Sequence, residues 1–267
     1  MRLSRARSLC GLVEGYVDFD MAGWRPGRHR GLPDASLTLV VSLGSPLTLR
    51  YAGRAVVSRA TIAGLRSGPV DVVHDAAARG VQIALTPHGS RALLGLPASE
   101  LVEGVWPLEQ VIGGRAEVLA DRLAEARDAA ARAAVLDAVL AEWSVAATYP
   151  GTVDAVWRAI TDSGGRAAVS SIADEMGFSR RHLGQLVRAE LGLAPKVLAR
   201  ITRFARARSC LQRGRTRGLA ETAAVCGYFD QAHLSYDWKR LAGCTPGQWL
   251  CEELPFLQDG ARLDGAC

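Results

Sequence analysis

A chain of 267 residues of which 49% are hydrophobic can build a core in each of two domains, which excludes disorder on a large scale. Six cysteines scattered without a C-x-x-C pair exclude a disulfide framework, so reduced, mostly buried thiols are expected. The net charge of +5 is uneven: Arg166 to Leu250 holds 14 basic and 6 acidic residues against 18 and 21 elsewhere, so the charge that suits phosphates belongs to the C-terminal part.

The opening MRLSRARSLCGL is basic, but no apolar run of signal-peptide length follows it. No segment reaches the ~18–20 apolar residues of a membrane span, so a cytoplasmic chain with no membrane partner is expected. From Leu37 to Leu85, SLTLVVSL, LTLRYA, VDVVHD and VQIALTP are short apolar runs punctuated by Gly and Pro. They predict strands of an antiparallel sandwich or small barrel. From Gly89 the texture turns helical. Val118, Leu119, Leu123, then Val135, Leu136, Val139, Leu140 and Trp143 recur at helical spacing on either side of a break near Asp128. This stripe reads either as packing against the β region or as a dimer seam. TYPGTV (Thr148 to Val153) follows as the linker, because Pro150 and Gly151 interrupt helix.

The last third states one pattern twice. In the first copy Val169, Ile172, Ala173 and Met176 form the inner stripe of a supporting helix ended by Gly177. Phe178 plugs the turn, Ser179 caps the next helix, and Leu183, Leu186, Val187 and Leu191 face inward. Arg180, Arg181, Gly184, Gln185 and Arg188 are left on the opposite face, where Arg suits guanine and Gln suits adenine. The second copy has Leu219, Ala220, Ala223 and Ala224 on its supporting helix, then Gly227 and Tyr228 in the turn and Asp230 as the cap. Leu234, Trp238 and Leu241 point inward, and Gln231, His233, Tyr236 and Lys239 outward or toward the groove edge. Between the copies, PKVLARITRFARARSCLQRG predicts one helix opened by proline and closed by glycine. At ~18 residues it spans ~27 Å, comparable with the ~34 Å of one DNA turn. Two helix-turn-helix units in a basic segment imply reading of double-stranded DNA.

From Val169 to Leu250 the chain resembles the AraC/XylS family of bacterial transcription regulators. The resemblance rests on both helix-turn-helix units, on LGLAPKVLARITRFARA between them and on the closing AGCTPGQWL with Gly243, Thr245 and Pro246. It implies a seven-helix bipartite DNA-binding domain acting at promoters. Base-facing positions fall on Arg181, Gly184 and Gln185 in the first unit and on Gln231, Ala232 and Tyr236 in the second. Thr222, Leu234 and Asp237 depart from the family's commoner residues. The resemblance also implies a cupin-like N-terminal domain that senses a small-molecule effector or forms a homodimer, with RNA polymerase as a further partner. GRHRGLPDASLTLVVSLGSPLTL and VQIALTPHGSRALLGLP look like such a sensor domain.

The expected fold class is therefore α+β multidomain: a β-rich cupin-like N-terminal domain with a helical connector, and an all-α C-terminal domain with two helix-turn-helix units. The boundaries are 1–112 for the β-rich domain, 113–147 for the connector, 152–250 for the DNA-binding domain and 251–267 for a tail. The candidate DNA-binding residues are Ser179, Arg180, Arg181, Gln185, Arg188, Gln231, His233, Tyr236 and Lys239. Arg203 joins Arg180, Arg188 and Lys239 as a candidate for phosphate neutralisation. His29, His74 and His88 lack the His-x-His spacing of a cupin metal site, and no nucleotide-binding or hydrolase motif occurs, so neither metal, cofactor nor catalysis is expected. Trp24, Trp106, Trp143 and Trp157 read as core more readily than as pocket residues. A cupin-like metal enzyme tethered to DNA and a sequence-blind architectural binder are the rival readings.

Overall fold

Short runs of alternating polarity make the N-terminal half a two-sheet β-sandwich. The structure, a computed structural model, describes residues 1–3, 5–20, 27–74, 78–146 and 148–252. Its strands are β1 (Arg2–Leu3), β2 (Val13–Asp20), β3 (Gly27–Gly31), β4 (Leu37–Ser42), β5 (Leu47–Tyr51), β6 (Arg54–Ser58), β7 (Ala60–Ala63), β8 (Val70–His74), β9 (Arg79–Leu85) and β10 (Val105–Pro107). One sheet runs β1-β2-β9-β4-β7-β10 and the other β3-β8-β5-β6, with antiparallel pairing in both. Along β4, Leu37, Leu39 and Val41 are buried on one face in the main core. The alternate Val40 packs with Leu47, Leu49 and Val70 of the opposite sheet.

The strands extend well beyond the Leu37–Leu85 region expected from sequence. β2 was hidden by its acidic residues. Asp18 within it receives a bidentate pair from Arg132 at 2.8 and 2.9 Å, a partner 114 positions away. Short helical turns at 87–94, Ala98–Leu101 and Glu109–Ile112 then lead to the connector, α1 (Arg115–Glu125) and α2 (Ala129–Trp143). The break between them lies where the sequence places it: the Asp128 side chain accepts from Ala131 N at 2.8 Å and caps α2. Leu119, Leu123, Leu136, Val139, Leu140 and Trp143 are buried in the same core as β2, β4 and β9. The stripe thus packs against the sandwich. Val118 is a correction, being 51% exposed; it stands one residue off the buried line.

Pro150 forms the N-cap of α3 (Gly151–Asp162), so the chain re-enters helix at Gly151, inside the expected linker. Val153, Val156, Trp157 and Ile160 of α3 are buried, and Trp157 Nε1 donates to Ala35 O of the β region at 3.0 Å. Trp143 and Trp157 are core residues, and Trp106 is half-buried beneath the Arg54 guanidinium; Trp24 lies outside the described residues. The helices that follow are α4 (Val169–Glu175), α5 (Arg180–Leu191), α6 (Pro195–Gln212), α7 (Leu219–Cys226), α8 (Gln231–Ala242) and α9 (Pro246–Glu252). Among the described residues α3 to α9 make seven helices, the number implied by the resemblance. Residues 251 and 252, assigned to the tail from sequence, complete α9. No helix of the described residues is long and apolar enough to cross a membrane.

Candidate nucleic-acid interface

The first unit is α4 and α5 joined by a tight turn. Gly177 ends the supporting helix in the left-handed region at φ +70°, where a side chain would be strained. Ile172 and Ala173 are buried, and Val169 and Met176 partly so. The Ser179 hydroxyl accepts from His182 N at 3.2 Å, capping α5, and Phe178 leans on the His182 ring. Leu183, Val187 and Leu191 fix the inner face in the core. Arg180, Arg181, Gln185 and Arg188 are exposed as expected from the spacing, with Arg181, Gln185 and Arg188 sharing one face at i, i+4 and i+7.

The second unit is α7 and α8, turning at Gly227 with φ +78°. Its supporting helix buries Thr222, Ala223 and Cys226, whereas Ala220 and Ala224 are exposed, a correction to the expected stripe. Alanine gives little periodic signal, and Thr222 satisfies its hydroxyl against Gly218 O and Thr216. Asp230 accepts from His233 N at 2.7 Å and caps α8. Leu234, Trp238 and Leu241 are buried, with Trp238 meeting Phe204 edge-on at 4.9 Å and Trp249 at 5.2 Å. Gln231, Tyr236 and Lys239 are exposed, and Arg240 Nη1 donates to the Tyr236 hydroxyl at 3.0 Å.

His233 has a different position from the other three. It is half-buried, its ring meets Tyr228 edge-on, and its Nδ1 accepts from Phe229 N at 3.3 Å. It braces the turn. Arg203 does the same from α6: its guanidinium lies over the Tyr228 ring at 5.3 Å and donates to Gly227 O. Burial raises the Tyr228 phenol well above its ordinary range, with the nearby Asp237 carboxylate adding to the effect. Cys226 and Cys210 stand 3.9 Å apart at their sulfurs where α7 crosses α6, and burial, then the neighbouring thiol, pushes Cys226 up to about 12.

The linking helix α6 has the expected span of 18 residues, with Pro195 at its first turn and Gly214 just past its end at φ +57°. The second unit packs on this strut from its middle onward, with Arg203 over Tyr228, Phe204 against Trp238 and Cys210 beside Cys226.

The sequence reading missed the attachment of the first unit to the β domain. Glu190, near the C-terminal end of α5, is only 4% exposed and receives Arg91 Nε at 2.5 Å and Nη2 at 2.7 Å. The turn Ala98–Leu101 packs on the same helix, and Val102 closes on Gly192, where an added Cβ would stand 2.6 Å away. No local pattern reveals a pair 99 residues apart; a charged residue on the inner face of an otherwise apolar stripe was the one available signal.

An open cleft of about 300 Å³ lies where α3 and α6 meet the β domain, lined by Glu14, Asp34, Thr161, Asp162, Thr202 and Arg206 among others. Arg208 pairs with Asp34 across it at 2.7 Å. His88 stacks on Tyr149 at 4.9 Å and His29 is half-buried on β3, while the side chain of His74 lies outside the described residues. Among the described residues no group of three His, Cys, Asp or Glu side chains is placed to hold a metal ion.

Residues 172–251 match a family described as Helix-turn-helix domain. No curated protein matches the chain. Solved structures of ToxT from Vibrio cholerae resemble it over most of its length. One is 12% identical, covers 88% of this chain and 98% of its own, and has a TM-score of 0.54. Another, bound to (E)-4-(8-methylnaphthalen-1-yl)but-3-enoic acid, is 13% identical over 91% and 99% with a TM-score of 0.53. A third, bound to an unsaturated fatty acid, is 10% identical over 88% and 94% with a TM-score of 0.52. At these identities the likeness is one of fold: a β-rich N-terminal domain followed by helix-turn-helix units.

Proposed function

On the premise that residues 172–251 belong to the AraC-type helix-turn-helix family, we propose that this chain is a sequence-specific regulator of transcription. It reads promoter DNA with α5 and α8 and answers to a small molecule held by its β-rich domain. The observation that carries the reading is the pair of exposed polar helix faces, each capped, backed by a buried stripe and mounted on one 18-residue strut. Arg181 and Gln185 are the base-reading side chains of the first unit. Arg180, Arg188 and Lys239 neutralise phosphates, and Ser179 orders the helix start. Arg203 and His233, spent on the turn at Tyr228, shape the second unit from within.

The effector role is supported by the fold shared with ToxT, whose structures hold small carboxylic acids, and by the cleft between the β domain and α3 and α6. RNA polymerase is the proposed further partner of the DNA-bound chain. Pairing of two copies is tested by sedimentation with and without operator.

Selection of bound fragments from genomic DNA by the purified chain tests the central part. The expected result is a site of two preferred blocks about one helical turn apart, bound at least ~10³-fold more tightly than random DNA. Equal affinity for selected and random fragments would mean a sequence-blind binder and end this reading.

A further inference from the structure

The turns of the two helix-turn-helix units differ in length by one residue, and the additional residue is aromatic. From turn glycine to the first buried leucine of the following helix, the first unit runs Gly177 to Leu183 and the second Gly227 to Leu234. The longer turn contains Phe229, whose side chain is 91% exposed. A residue just before a helix cap commonly staples onto the fourth helical residue. Here the fourth residue, Leu234, is already buried, and Tyr228 fills the inside of the turn. Phe229 is left pointing to solvent on a braced backbone, its N–H held by His233 Nδ1.

The surroundings sort by chemistry. Ala232 is exposed in the first turn of α8, and Tyr236, 60% exposed, follows one turn on. Among the described residues the two strongly exposed aromatic side chains, Phe229 and Tyr236, both belong to this unit. The Asp230 carboxylate caps the N-terminal end of α8 and repels phosphate there, while Lys239 and Arg240 stand at the other end. The N-terminal end therefore suits base edges and the C-terminal end the sugar-phosphate backbone. In the major groove the apolar group offered by a base is the 5-methyl of thymine.

We propose that the second unit reads thymine, by packing Phe229 and Ala232 against its 5-methyl group. The first unit, whose Phe178 is half-buried and whose exposed face is Arg and Gln, reads by hydrogen bonds instead. This inference rests on the DNA-reading function proposed above.

The test uses the full chain and the selected site. The block whose preference survives Arg181→Ala belongs to the second unit. Replacing its thymines by deoxyuridine removes only the methyl groups, and affinity should fall about fourfold per contacted methyl, equivalent to ~0.8 kcal/mol. The same replacement in the other block should change little. Phe229→Ala, at a position too exposed to disturb folding, should weaken binding by a similar factor and reduce the response to deoxyuridine to the share left to Ala232, whereas Phe229→Leu should retain more of it. Wild-type affinity unchanged by deoxyuridine in that block overturns the inference and leaves sequence-specific binding intact. Phe229→Ala with normal DNA affinity but lost transcription in a purified system also overturns it, and assigns the ring to a protein partner. Selection that recovers no preferred sequence removes the inference together with the function beneath it.

Discussion

The two helix-turn-helix units are built alike and held differently. The first is clamped by the β domain, through Arg91 on Glu190, the 98–101 turn on α5 and Val102 on Gly192. The second is held by its own aromatic core, Trp238 between Phe204 and Trp249, and reaches the β domain through Pro69 beside Gly243 and Arg30 on Glu252 of α9. The β domain is therefore in direct contact with α5. The second unit packs chiefly on α6, through Phe204 and Arg203.

The largest effect is expected where the second unit depends on itself. Trp238→Ala removes a fully buried ring and should cost ~3–5 kcal/mol in denaturant unfolding. DNA contact by the second unit should be lost while protection of the first block persists; a variant with wild-type stability would contradict the packing described. Next comes the clamp. Arg91→Ala leaves the Glu190 carboxylate buried without its partner and should cost roughly 3 kcal/mol. Amide exchange should rise along α5 and not along α8. Equal rises in both helices would erase the distinction between the units.

Smaller effects are expected where the units are alike. Ser179→Ala and Asp230→Ala each remove one cap and should each destabilise by ~1 kcal/mol in thermal unfolding; a much larger loss at either would mean the side chain has a further task. Alkaline pH separates the units again. Cys226 keeps its proton up to about 12 in the folded chain, against an ordinary thiol value of 9.0. Its stabilising contribution is whole below about pH 9 and declines as pH rises from there to about 12. The first unit has no buried thiol pair. Cys226→Ala should thus flatten the fall of melting temperature between pH 9 and 12, and an unchanged slope would remove the thiol from the explanation.

What could be read from sequence was local. The alternation in SLTLVVSL, the cap at Asp128, the proline-to-glycine span of α6 and the inner stripe of α5 each follow from neighbours within a few residues. β2 escaped because its acidic residues mask the alternation until Arg132 is brought to Asp18. The phase of α7 was misread because alanines dominate it and the buried positions fall to Thr222 and Cys226. The exposure of Arg181, Gln185, Tyr236 and Lys239 followed from helical geometry. The bracing roles of His233 and Arg203 did not, since both depend on where the Tyr228 ring settles. Phe229 was open to discovery by comparing GFS with GYFD.

The most direct test of base reading by α5 is competitive selection of DNA by the wild type and by Arg181→Ala, Gln185→Ala and Arg188→Ala, at several salt concentrations. The first two side chains face away from Leu183 and Val187, so folding should be kept while specific binding falls by ~1–3 kcal/mol and preference relaxes at one or two base pairs. Arg188→Ala should weaken all sequences alike and reduce the salt dependence. If Arg181→Ala and Gln185→Ala instead lower affinity for selected and random DNA by the same factor, with the selected site unchanged, then α5 does not read bases.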